Sequence, residues 1–197
     1  MQNWAGGLRA TRGMLGTLAF VAALAAAGWA GFGNGARADN EGLLKEIVIG
    51  AGSHDVGVFG RKKESGSDIN VELRFQPLEG EFWSWIYSPT PHIGLHYNTS
   101  GNTNQVFVGA NWLFDIGSGI FGGGSFGFAA HDGETDSGTL GRKDLGLPVL
   151  FRESLEIGFK AGNEHSISLM LDHVSNADIH SENEGLDTVS LRYSVGL

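Results

Sequence analysis

The C-terminal part of the chain contains a histidine and a serine at a spacing that suits nucleophilic catalysis. The run is His173-Val174-Ser175-Asn176-Ala177, just ahead of a final segment of alternating apolar residues. Side chains two residues apart lie on the same face of a β-strand, so a base and a nucleophile would share that face. Serine–histidine pairs of this kind cleave esters through an acyl-enzyme. The pattern therefore predicts a hydrolase site at the end of a strand.

The face that bears these two side chains is otherwise apolar. Ile167, Leu169 and Leu171 share the parity of His173 and Ser175. A soluble hydrolase would not place its nucleophile on an apolar outer stripe, whereas an enzyme that attacks a lipid within a membrane would. The location of the pair thus favours a lipid substrate.

A triad also needs an acid that orients the histidine, and two positions qualify. Asp187 has the parity of the outward residues of the last strand, and pairing 173 with 187 closes a hairpin whose tip lies near His180. Glu153 is the second candidate, because it interrupts the apolar stripe of the preceding strand. A short turn at 161–164 would bring it near 171–173.

An attack on an ester further requires donors for the developing oxyanion. Asn176 directly follows the candidate nucleophile. We expect its side-chain amide, or the backbone N–H groups of 176–178, to supply those donors.

The elements that must position these residues are strands with a period of two. Alternating apolar residues mark eight segments: 43–54, 69–76, 92–97, 104–115, 118–131, 149–160, 165–175 and 189–197. The opposite parity is charged, and it includes Glu72, Arg74, Arg152, Glu156, Asp172 and Arg192. In a small outer-membrane barrel the apolar face meets lipid and the charged face fills the lumen. We therefore predict an all-β fold, an eight-stranded antiparallel up-and-down transmembrane β-barrel.

The N-terminus predicts export. Arg9 and Arg12 precede an apolar stretch over 14–27, and Ala36-Arg37-Ala38 is a small-x-small cleavage site. These features predict a signal peptide over 1–38 and a barrel domain over 39–197. With a periplasmic N-terminus the odd strands run outward. His173 and Ser175 are then expected at the outer leaflet of a Gram-negative outer membrane.

Composition excludes several function classes. After residue 38 ten basic residues stand against 22 acidic ones, a net charge of −12, which argues against nucleic acid as a partner. The chain contains no cysteine and hence no thiol chemistry. His92 and His96 are four residues apart on a strand, too far to share one metal ion, so neither a metal nor another cofactor is expected.

The last 25 residues resemble a known family. His173-x-Ser175-Asn176-Ala177, then Asn183-x-Gly185 and the strand LDTVSLRYSVGL, are similar to the PagL-type lipid A 3-O-deacylases. That resemblance implies an eight-stranded barrel with a Ser-His-Glu triad on its outside surface, which hydrolyses the acyl ester at position 3 of lipid A. By motif the base is His173, the nucleophile is Ser175 and the neighbouring asparagine is Asn176.

The acid departs from the family pattern. Two residues after the Asn-x-Gly the family typically has glutamate, and this chain has Asp187. Aspartate fills the role in most serine triads, and Glu153 and Glu184 are the alternative acids. The expected partners are lipid A or lipopolysaccharide, outer-membrane lipids and a second copy of the chain. A non-catalytic barrel, such as an adhesin or structural protein, and another lipid hydrolase or acyltransferase are the alternative functions.

Overall fold

The computed structural model describes residues 42–136 and 138–197. The predicted signal peptide, 1–38, lies outside the described residues. The elements are β1 (Leu44–Ser53), β2 (Ser67–Phe75), α1 (Glu81–Trp85), β3 (Thr90–Asn98), β4 (Gln105–Gly117), β5 (Ile120–His131), β6 (Val149–Lys160), β7 (His165–Ser175) and β8 (Leu186–Gly196).

The strands form one closed barrel in chain order. Each strand pairs antiparallel with its sequence neighbours, and β1 pairs with β8 to close the sheet. The predicted eight-stranded antiparallel fold is therefore confirmed. The predicted register of the last hairpin is also confirmed, since His173 lies directly opposite Asp187.

The two faces of the sheet have opposite chemistry. Large apolar side chains such as Ile69, Leu155 and Leu191 are about half exposed or more on the outward face. A soluble β-protein would bury such residues, whereas an outer-membrane barrel turns them toward lipid. Within the described residues, no helix has the length and apolar character needed to span a membrane.

The lumen is filled by a charged network, as predicted. Glu72 lies at its centre and accepts hydrogen bonds from Arg74 Nε at 2.7 Å and from Arg192 Nη2 at 2.5 Å. Glu156 accepts from Arg74 Nη2 at 2.6 Å. Every one of these side chains is buried. Because each charge has an opposite partner, the network satisfies groups that would otherwise be costly to bury.

The connections differ at the two ends of the barrel. Turns 118–119 and 161–164 are short, and the connection 76–89 contains α1. At the other end, which we call the long-loop end, β1, β3, β5 and β7 lead into loops L1 (54–66), L2 (99–104), L3 (132–148) and L4 (176–185). Leu145 of L3 packs there on inward apolar residues of five strands: Phe107, Ala129, Leu150, Val174 and Leu186. This apolar cluster and the loops cover the charged network at the long-loop end of the barrel.

Candidate active site

A histidine and an aspartate form a short hydrogen bond on the outward face near the long-loop end. His173 Nδ1 lies 2.6 Å from Asp187 Oδ1, across the β7–β8 ladder. A carboxylate can only accept, so the imidazole Nδ1–H donates and leaves Nε2 free to act as a base. Asp187 is 1 % exposed. This is the arrangement in which an acid orients a catalytic histidine.

The second oxygen of Asp187 is held by L1. Phe59 N–H donates to Asp187 Oδ2 at 2.8 Å, and Val56 N–H donates to the Asp187 carbonyl at 2.9 Å. The Phe59 ring meets the His173 imidazole edge to face, with 5.1 Å between ring centroids. These contacts join residues more than 100 positions apart, and no pattern in the sequence indicated them.

Ser175 ends β7 on the same outward face as His173. Its neighbour across the ladder on β6 is Phe151, which packs with the rings of Phe126 and Phe128. Among the described residues no hydrogen bond joins the Ser175 hydroxyl to His173. Such bonds are often long in unliganded enzymes and tighten when substrate binds.

Of the three candidate acids, only Asp187 forms a hydrogen bond with His173. Glu153 lies directly opposite His173 on β6, as the sequence indicated, but it is exposed. Glu184 forms an ion pair with Lys63 at 2.6 Å and accepts the Asp144 N–H at 2.8 Å. Its carboxylate therefore joins L4 to L1 and L3.

Asn176 has a different set of contacts from the one expected. Its side-chain Nδ2 donates to the carbonyls of Leu145 at 3.1 Å and Glu182 at 2.6 Å, and its backbone N–H donates to Asn183 Oδ1 at 2.9 Å. Both kinds of donor are engaged, so in this structure Asn176 links distant parts of L4 to each other and also links L4 to L3. The next two residues, Ala177 and Asp178, have positive φ of 52° and 60°. Their N–H groups donate to no acceptor among the described residues.

Gly185 is required beside the imidazole. Its φ is +59°, and a Cβ added there would lie 2.9 Å from His173 Cε1. A side chain at this position would push the imidazole away from Asp187. The glycine of the Asn-x-Gly motif thus makes room for the histidine.

L1 is anchored by buried polar groups at the long-loop end. Asp55 Oδ2 accepts the N–H groups of Lys63 at 2.6 Å and Glu64 at 2.9 Å. Lys143 of L3 contacts Asp55 Oδ1 at 3.2 Å and donates to the Arg61 carbonyl at 2.6 Å. His54 bridges two acids, with 2.8 Å to Glu64 and 2.9 Å to Asp68. The loop that holds Asp187 is therefore itself held at several points.

The charge states of this anchor follow from its contacts. Burial alone would lower the pKa of His54, but hydrogen bonds to Asp68 and Glu64 outweigh it and raise that pKa to about 9. Burial would raise the pKa of Glu64, but hydrogen bonds from His54 and from the N–H groups of Lys143 and Thr103 lower it to about 2. Both groups are charged at neutral pH.

Stability should therefore depend on His54 above neutral pH. A raised pKa contributes stability that is complete below pH 6.5 and is lost as pH rises through about 9. Between pH 6 and pH 9.5 we expect the wild type to lose on the order of 2 to 3 kcal/mol more unfolding free energy than His54→Gln. Urea titrations followed by tryptophan fluorescence measure this difference. Equal losses in both proteins would contradict the assignment of a charged His54.

At acidic pH the stability depends on Glu64, and the direction of the pH dependence is reversed. Glu64 contributes stability that is complete above pH 4.5 and is lost as pH falls through about 2.

Among the described residues there is no group of three histidine, cysteine, aspartate or glutamate side chains that could hold a metal ion.

Fold and site together define an outer-membrane type of β-barrel with a hydrolase-like His–Asp pair on its outward face. A family model described as lipid A 3-O-deacylase (PagL) matches residues 69–196. The chain belongs to this family. It is therefore a carboxylic ester hydrolase of the Gram-negative outer membrane.

Solved structures agree on the fold. The outer membrane enzyme PagL superimposes with a TM-score of 0.58 at 20 % identity, covering 77 % of this chain and 99 % of that one. Neisserial surface protein A gives 0.53 at 8 % identity, covering 79 % and 98 %. The N-terminal barrel domain of Pseudomonas aeruginosa OprF gives 0.50 at 12 % identity, covering 78 % and 98 %. No curated protein sequence matches the chain significantly.

Proposed function

We propose that the protein removes the ester-linked acyl chain at position 3 of lipid A, with Ser175 as nucleophile, His173 as base and Asp187 as the orienting acid. The observation that supports this most directly is the 2.6 Å contact between His173 Nδ1 and Asp187 Oδ1. It lies on the outward face beside Ser175, in a chain of the deacylase family. The triad acid is then aspartate where the family typically has glutamate.

The reaction follows from the roles of these groups. His173 Nε2 takes the proton of Ser175 Oγ, and Oγ attacks the ester carbonyl carbon to give a tetrahedral oxyanion. The intermediate expels the sugar oxygen, which takes the proton from Nε2. Water then gives a proton to Nε2 and attacks the carbonyl carbon of the acyl-serine. The second tetrahedral intermediate expels Ser175 Oγ, which takes the proton back from Nε2, and this step releases the fatty acid and restores Ser175. Asp187 stabilises the imidazolium in both halves.

The oxyanion requires donors near Ser175. Both donor types of Asn176 are bound to protein acceptors. The N–H groups of Ala177 and Asp178 follow the nucleophile in a sharp left-handed turn, and we propose that they donate hydrogen bonds to the oxyanion. Asn176 then supports this turn by holding L4.

The substrate reaches the site from the membrane. Apolar residues of β7 and β8, such as Leu169 and Leu191, lead along the outward face to His173 and Ser175. We propose that this face meets the outer leaflet, with the long-loop end outside the cell. We also propose that residues 1–38 are the signal peptide that directs export.

Mass spectrometry of lipid A tests the function. Cells that express the wild type are expected to lose one 3-hydroxyacyl group from lipid A. Ser175→Ala should abolish this loss while the barrel folds, as shown by heat-modifiable migration on gels. Ser168→Ala, a buried lumen serine of the same strand, is the matched control and should retain activity.

Two outcomes would overturn the proposal. Unchanged lipid A with a folded wild-type barrel would support a non-catalytic barrel. Loss of an acyl group other than the one at position 3 would support a different lipid hydrolase.

A further inference from the structure

We propose that the backbone N–H of Phe59 in L1 is a positioning group for the reaction and holds Asp187 in the orientation that His173 needs. This inference rests on the proposed function and adds to the triad a group that lies 128 positions before Asp187 in the sequence. Phe59 acts through Asp187 and does not itself touch the reacting atoms.

The first support is the geometry of the carboxylate. Asp187 Oδ1 accepts from His173 at 2.6 Å while Oδ2 accepts from Phe59 N–H at 2.8 Å. With both oxygens engaged, the carboxylate cannot rotate without breaking a bond. The N–H therefore fixes the direction of the group that orients the imidazole.

The second support is the anchorage of L1 on both sides of Phe59. Before it, Val56 N–H is bound to the Asp187 carbonyl. After it, the Arg61 carbonyl receives Lys143 Nζ at 2.6 Å. A positioning group must itself be held in place by contacts of its own. These two contacts hold the backbone of L1 on either side of Phe59 without any contribution from the Phe59 side chain.

The Phe59 ring has a separable role. It is 66 % exposed and lies edge to face on His173, whose side chain is only 16 % exposed. The ring limits water access to the imidazole and offers an apolar surface beside the ester. We therefore expect loss of the ring to affect KM and loss of the N–H to affect kcat.

An amide-to-ester exchange separates the two roles. Phenyllactic acid at position 59, introduced by nonsense suppression, replaces the N–H with oxygen and retains the ring. We expect kcat to fall about 10- to 100-fold with KM nearly unchanged. Phe59→Ala retains the N–H and should raise KM more than it lowers kcat. Phenyllactic acid at Phe82, an exposed residue of α1, is the matched control and should change neither constant.

A second readout does not need activity. In the folded wild type the His173 Nδ1–H proton should give a low-field NMR signal because it donates to Asp187. The ester at position 59 should shift that signal upfield, whereas Phe59→Ala should retain it at low field.

The outcomes separate this inference from the proposed function. A low-field signal that is unchanged by the ester at position 59 would overturn the positioning role, whatever the deacylase assay shows. A shifted signal in a protein that leaves lipid A intact would support the positioning role and refute the deacylase. An active protein in which the ester leaves kcat unchanged would refute the positioning role alone.

Discussion

Asp187→Ala is expected to lower kcat/KM for lipid A by about 10⁴-fold, the size of the loss found when the acid of a serine triad is removed. The physical reason is that His173 would lose the only carboxylate among the described residues that lies within hydrogen-bond distance, and with it the tautomer that leaves Nε2 unprotonated. Asp187→Asn should be similarly impaired, because the amide retains the shape and lacks the charge. Steady-state hydrolysis of purified lipid A measures the effect.

The two alternative acids supply the controls. Glu153→Ala removes the carboxylate opposite His173 on β6, and Glu184→Ala removes the partner of Lys63. Neither carboxylate forms a hydrogen bond or an ion pair with His173 in the structure, so we expect each variant to stay within about tenfold of wild type. If either variant lost most of its kcat/KM while Asp187→Ala stayed active, Asp187 would not be the triad acid.

Glu72→Ala is expected to destabilise the barrel by about 3 to 5 kcal/mol, the cost of breaking a buried ion pair from one side. Glu72 accepts from Arg74 and Arg192, and also from His92 at 3.0 Å and Asn111 at 3.1 Å. The alanine leaves two arginines without this partner in the lumen. Urea unfolding in lipid vesicles, followed by tryptophan fluorescence, measures the loss.

Matched variants separate charge from general disruption. Glu72→Gln retains an acceptor oxygen and should lose less than the alanine. Glu79→Ala alters an exposed glutamate in the connection 76–89 and should change the unfolding free energy by less than about 0.5 kcal/mol. If Glu72→Ala were as stable as Glu79→Ala, the lumen network would not contribute to stability.

The sequence predicted the barrel because one physical rule governs all its strands. Residues alternate faces along a strand, so the apolar and charged sets separate by parity alone. The same rule placed Glu72 and Arg192 in the lumen and His173 outside. It also predicted the pairing of His173 with Asp187, because outward residues of neighbouring strands must lie opposite each other, which restricts the register to steps of two residues.

Contacts made through loops could not be predicted in this way. Phe59 lies in an irregular segment, and it reaches Asp187 only because L1 folds over the barrel end. His54 gave no signal, since its acidic partners are 10 and 14 residues away in an irregular loop and the next strand. α1 was likewise missed, because five residues are too few for a helical period.

Asn176 shows the limit of a motif without geometry. Its place beside Ser175 suggested an oxyanion donor, yet its amide nitrogen is bound to the carbonyls of Leu145 and Glu182. Sequence adjacency located the residue but not the direction of its side chain. The direction depends on L3, which packs on L4 from a distant part of the chain.

The pairing of β1 with β8 has a consequence for the polypeptide before it is assembled in the membrane. Phe59 follows the first strand and Asp187 belongs to the last, so the two meet only when the sheet has joined its own ends. A polypeptide still in transit would contain His173 and Ser175 but not the complete proposed site. Full esterase activity would then require the final step of assembly, and lipids met before that step would be hydrolysed more slowly.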